Sequence, residues 1–166
     1  MTKTLKPILV LFLALLLGCG GKEEKKKESF TIQKPTETKE VVDKTENIPA
    51  SKKIDLQNKG VGPITSLSLS PEIDQTMVAH GADVFKKMCT ACHRPDKKFI
   101  GPAPTGILER RSPEWVMNMI LNPEEMVQKD PLAKELLIEF NGSPMANQNL
   151  TEEEARAVLE YFRTLK

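Results

Sequence analysis

Cys89-Thr90-Ala91-Cys92-His93 decides how this chain is read. Two thiols three positions apart, with an imidazole directly after the second, form the spacing at which c-type haem is attached. The chemistry requires that spacing: the thiols add to the two vinyl groups on one porphyrin edge, and the next residue swings under the ring to present a histidine nitrogen to iron. Other uses of the motif fit less well. A redox dithiol belongs to a strand-to-helix context, which is missing here, and a zinc site needs a second Cys/His pair, whereas the only other histidine is His80. The expected cofactor is a single covalent haem c, held by Cys89 and Cys92 with His93 on the iron.

More residues join the pattern on either side. Gly81 and Phe85 stand eight and four positions before Cys89, Gly101-Pro102 follows His93, and Ser143-Pro144-Met145 lies some fifty residues further on. In this order of parts the chain resembles a class I monohaem cytochrome c from about residue 55 to residue 166. The resemblance implies an all-α fold, a small cytochrome c fold with helices wrapped around a covalently attached haem. It implies that the first and last helices cross, and that the carbonyl of Pro102 accepts the ring proton of the haem-bound histidine, although Gly101-Pro102 also reads as an ordinary turn.

The start of the chain has another character. Lys3 and Lys6 precede a short apolar run over residues 8–17, and Leu16-Leu17-Gly18-Cys19 resembles a bacterial lipobox. The run is too short to span a bilayer by the roughly twenty-residue rule, so residues 1–18 read as a lipoprotein signal peptide and Cys19 as the lipidated new terminus. No structural disulfide is then expected. Residues 19–54 are rich in Lys, Glu, Thr and Pro and read as a disordered charged tether, unable to bury enough apolar surface to offset the entropy of ordering. As a coil of some fifty residues down to the first helix, the chain beyond the anchor has a root-mean-square reach of roughly 40 Å. Residues 55–166 read as the cytochrome c domain. From residue 54 onward there are thirteen Lys/Arg and sixteen Asp/Glu, a mildly acidic balance that does not suit nucleic acid.

Helix signals then place the chemistry. Ser70-Pro71-Glu72 reads as a helix start, with Ile73, Met77, Gly81, Val84, Phe85 and Met88 following at spacings of three and four. Thr151-Glu152-Glu153-Glu154 reads as a capping box before a last helix with Ala155, Val158, Leu159, Phe162 and Leu165 on one face. Gly81 lets these two helices approach where they cross. Ser112-Pro113-Glu114 starts a middle helix that Asn122-Pro123 ends, and Asp130-Pro131 starts another that Asn141-Gly142 stops. Residues 58–64, glycine-rich with apolar anchors, read as an ordered lead-in.

An electron carrier needs both axial iron positions filled, so that gain of an electron moves few atoms and no small molecule binds. Met145 is the expected sixth ligand: it follows Pro144 in a loop between helices, where the resemblance puts the ligating methionine. Of the chain's seven methionines, Met77, Met88, Met117 and Met119 fall within helices as core filler and Met126 lies between helices. His80, nine residues before Cys89, falls on the opposite side of its helix. Arg110, Arg111 and Trp115 are candidates for a haem propionate, with solvated surface as the ordinary role of an arginine pair. The function expected is a periplasm- or surface-facing carrier, not an enzyme. It would be lipid-anchored to a bacterial membrane, monomeric, and exchange electrons with a redox donor and an acceptor such as a terminal oxidase or nitrous oxide reductase. A haem-based sensor of small ligands and a redox module of a larger respiratory complex are the alternatives. Carriage is preferred over catalysis because a small peroxidase needs an open iron position and a distal acid/base.

Overall fold

The structure, a computed structural model, describes residues 48–166. The expected signal peptide, Cys19 and the tether up to residue 47 lie outside the described residues. Within them the chain is helical: α1 (Gln75–Met88), a 3-10 turn (Ile107–Glu109), α2 (Pro113–Leu121), α3 (Pro123–Lys129), α4 (Pro131–Glu139) and α5 (Glu152–Phe162). The all-α expectation holds, with one isolated parallel bridge between Asp55 and Arg111 as the only extended pairing among the described residues.

Three consecutive helices begin with proline at the first position, where its fixed φ suits the helix and its missing N–H costs nothing. Ser112 caps α2 by accepting from Trp115 N at 3.1 Å, and Asp130 caps α4 by accepting from Ala133 N at 2.7 Å. Pro123 was expected only to end the middle helix; it also opens α3. Asn122 serves both helices, its amide closing α2 on Asn118 O at 2.8 Å while its side chain donates to Glu125 at 2.6 Å. Met126, expected between helices, is therefore a fully buried residue of α3.

The first helix also starts later than its Ser-Pro-Glu signal. Asp74 is the cap, accepting from Thr76 N at 2.8 Å and Met77 N at 3.0 Å. Ser70 instead donates to Glu72, and the carbonyls of Ser70, Pro71 and Glu72 all accept from Arg163 near the chain's end. Arg163 and Arg156 also hold Glu160, which is 1 % exposed, at 2.6 Å each. Burial, the largest influence on that carboxyl, pushes its pKa up, but the hydrogen bonds from Arg156 and the Asp74 amide and the two guanidinium charges outweigh it and hold it below its ordinary value.

α1 and α5 form the framework. A Cβ on Gly81 would lie 2.8 Å from Val158 N and closer still to the Ala157 carbonyl, so the backbones touch there and only glycine fits. Phe85 packs against Tyr161 and Phe162 with ring centroids 5.6 and 5.7 Å away. The capping box of α5 is present, Thr151 and Glu154 bonding reciprocally.

The lead-in is packed on this framework. Asn118 of α2 accepts from Ile64 N and donates to the carbonyls of Lys59 and Ile64, each at 2.9 Å. Gly60 has φ +71°, and a Cβ there would lie 2.7 Å from the sulfur of Met126. Order extends further back than composition suggested. Residues 48–54, assigned to the tether, belong in the fold: Ala50 is buried, Ser51 bonds Glu139 through both its amide and its hydroxyl, and Arg111 donates to the carbonyls of Ala50 and Lys53. Those contacts are polar and long-range in sequence, so local hydrophobicity does not signal them.

Candidate functional site

The end of α1 carries the Cys-x-x-Cys-His motif. The amide of Cys89 bonds Phe85 O at 2.9 Å as the helix closes, and the amides of Cys92 and His93 then both return to Cys89 O, at 3.1 and 2.9 Å. This single extra turn brings both cysteines and the histidine to one cleft of about 210 Å³. One water needs only about 10–15 Å³ of such space, so the cleft far exceeds any void a packed core retains. Cys89, Cys92, His93, Pro102 and Met145 all line it.

His93 Nδ1 lies 2.8 Å from the carbonyl oxygen of Pro102. A carbonyl only accepts, so Nδ1 carries the proton and Nε2 keeps the lone pair that a metal needs. Gly101 makes room for the ring, since a Cβ there would lie 2.5 Å from His93 Cε1. Gly101 N also donates to Cys92 O at 2.9 Å, tying the loop to the motif.

The thiols are unlike a redox dithiol. Cys89 caps the C-terminus of α1, the negative end of the helix dipole, and burial, aided by the Cys92 charge, pushes its pKa up to about 11. Redox-active cysteines are tuned the other way. Among the described residues no group of three His, Cys, Asp or Glu side chains could hold a metal ion, which removes the zinc reading there.

The opposite wall was not legible in the sequence. Val127 of α3 and Ala133, Leu136 and Leu137 of α4 line the cleft with Phe140, and Ile107 of the 3-10 turn closes another side. Three methionines reach it: Met88, Met119 and Met145. Met145 is half-buried in the loop that follows Asn141 and Gly142, which end α4 with φ of 59° and 72°. Met126 does not line the cleft, and its sulfur accepts from Val61 N at 3.0 Å. His80 is exposed and away from it.

A porphyrin with two carboxylate arms fits these walls. Apart from the cysteines and histidine the lining is overwhelmingly apolar, and its only formal charges are Arg110 and Arg111. Arg111 is 1 % exposed, against the surface role ordinary for an arginine. Burial and the neighbouring Arg110 charge press its pKa down, and Nε of both arginines is buried with no partner. Two orphaned cationic donors at the edge of an apolar cleft suit the propionates of haem. Trp115 does not serve in this way, because its indole N–H is spent on Asp130 at 3.2 Å.

Comparison with known proteins agrees. The family model for cytochrome c matches residues 78–166. The chain is similar to a cytochrome c from Rhodothermus marinus, with 40% identity and a TM-score of 0.61 over 70% of this chain and 93% of that one. An engineered cytochrome c from the same organism matches at 39% identity and TM-score 0.61, over 70% of this chain and 94% of that chain. No curated relative matches. Family model, fold and motif converge, and the chain belongs to the cytochrome c family, carrying one covalently attached haem c as a haem-based electron carrier.

Proposed function

We propose that this protein is a lipid-anchored carrier, held through Cys19 on the periplasmic or outer-membrane side of a bacterial membrane. It passes single electrons through a haem ligated by His93 and Met145 to a terminal oxidase or a reductase, nitrous oxide reductase among them. Haem supplies the one-electron iron centre. The observation that carries the reading is the 2.8 Å bond between His93 Nδ1 and Pro102 O in a cleft that Met145 also lines. The bond fixes the imidazole's tautomer, and Met145 is the one lining methionine that lies outside a helix. His93 and Met145 would together hold the iron, and a soft thioether would favour the ferrous state and raise the potential. Catalysis is not proposed, because the cleft is lined by no Asp or Glu and by no histidine besides His93, so a distal acid/base is missing among the described residues.

The carrier is taken to be a monomer, and its charge distribution favours docking by the haem-attaching segment. Residues 86–99 hold five basic side chains and one acidic, while the rest of residues 54–166 hold eight basic and fifteen acidic. Cys92, Met88 and Phe99 are exposed within this basic segment, and Ile100 directly after it. An acidic surface around the acceptor's own redox centre would steer encounter to this edge. Met145→Ala tests the ligand assignment: the variant should keep covalent haem, lose the weak red absorption associated with sulfur ligation, fall in potential and bind small ligands. An unchanged spectrum and potential would move the assignment to Met119.

A further inference from the structure

Arg111 is oriented by a part of the chain that precedes the family's matched region. Its Nη1 donates to the carbonyls of Lys53 and, at 2.9 Å, Arg110, and its Nη2 donates to Ala50 O at 2.6 Å. The guanidinium is planar, so fixing its terminal nitrogens fixes Nε as well, and Nε is the buried donor left without a partner at the cleft. The accepting segment is itself clamped from outside the cleft. Ser51 donates to the Glu139 carboxylate through its amide at 2.8 Å and its hydroxyl at 2.5 Å, Lys53 pairs with Glu135, and Asp55 N donates to Arg110 O at 2.9 Å.

We propose that residues 49–55 are a strap that positions Arg111 toward the haem's carboxylate arms, so that this segment, fastened to α4 by Glu139, sets part of the carrier's reduction potential. A guanidinium held against a propionate offsets a negative charge that would otherwise favour ferric iron. A released one is free to turn toward water and leave that charge uncompensated. Arg111 acts here as a positioning residue for the group that exchanges electrons, and Glu139 acts one step further back, since it does not line the cleft.

The proposal rests on haem occupying the cleft, and a double-mutant cycle on the full-length chain separates the two. Potentials are measured for the wild type, Arg111→Met, Glu139→Ala and the double variant, after denaturing gels have checked each for covalent haem. Arg111→Met should lower the ferrous-to-ferric ratio at a fixed poise about tenfold, which for one electron is 59 mV. Glu139→Ala should lower it about threefold, although loss of a carboxylate charge alone would raise it. In the Arg111→Met background Glu139→Ala should no longer lower it. An unchanged or raised potential in Glu139→Ala, or the same fall in both backgrounds, overturns the strap; should Arg111→Met not fold, the sign for Glu139→Ala decides alone. A wild-type chain without covalent haem would refute the occupied cleft, a different failure from haem-loaded variants that behave additively.

Discussion

Gly81→Ala sets two effects of opposite sign against each other, so its outcome is diagnostic. In an unpacked helix the change stabilises by about 1 kcal/mol, because alanine loses less conformational entropy than glycine. In this fold the added methyl meets backbone. It would lie 2.8 Å from Val158 N and much closer to the Ala157 carbonyl, so an ordinary 3.4 Å contact to the amide alone needs about 0.6 Å of separation between α1 and α5, and the carbonyl needs well over that. The residues around that contact, Phe85, Ala157 and Val158, are each at most 3 % exposed and have no slack to absorb the movement. Overpacking of this kind costs about 1–3 kcal/mol and reaches the upper end where a backbone must yield. The net expectation is a loss of about 2 kcal/mol, which for a chain of this length lowers Tm by roughly 4–8 °C. Thermal unfolding of the haem-loaded protein, followed by circular dichroism, reads the difference. A Gly81→Ala protein as stable as the wild type, or more so, would refute the close crossing of the two helices.

Glu160→Gln should cost about 2 kcal/mol at neutral pH, because it leaves two partly buried guanidiniums without their carboxylate. The folded protein holds this carboxyl below its ordinary 4.5, so the wild type's advantage is complete above that pH and is lost as pH falls through the lower folded value; denaturant titrations at pH 7 and pH 3 should show the gap narrowing, and a gap that widens in acid would contradict the sign. Cys19→Ser should release the protein from membranes without altering its haem spectrum, which fractionation checks; protein that stays membrane-bound would point to an uncleaved helix.

What the sequence disclosed and what it withheld follow from the range of the interactions involved. The haem motif, the capping box at Thr151 and the proline starts at Pro113 and Pro131 are local signals, complete within a few residues, and each marks what the fold contains. The start of α1 was misplaced because Ser70 and Asp74 are both competent caps. The choice between them is made by Arg163, some ninety residues away, which takes the carbonyls of 70–72. α3 was missed because a proline that stops one helix is also well suited to begin the next. The order of residues 48–54 and the burial of Arg111 conceal each other: the segment is polar and reads as tether, the arginine reads as surface, and only their mutual hydrogen bonds bring both inside.

The central claim, a carrier whose iron is closed to small molecules, is tested most directly by exposing the ferrous protein to carbon monoxide while recording its visible spectrum. If His93 and Met145 both hold the iron, the spectrum should not change. Rapid, stoichiometric carbon monoxide binding by the wild-type protein would contradict the account and favour a ligand sensor.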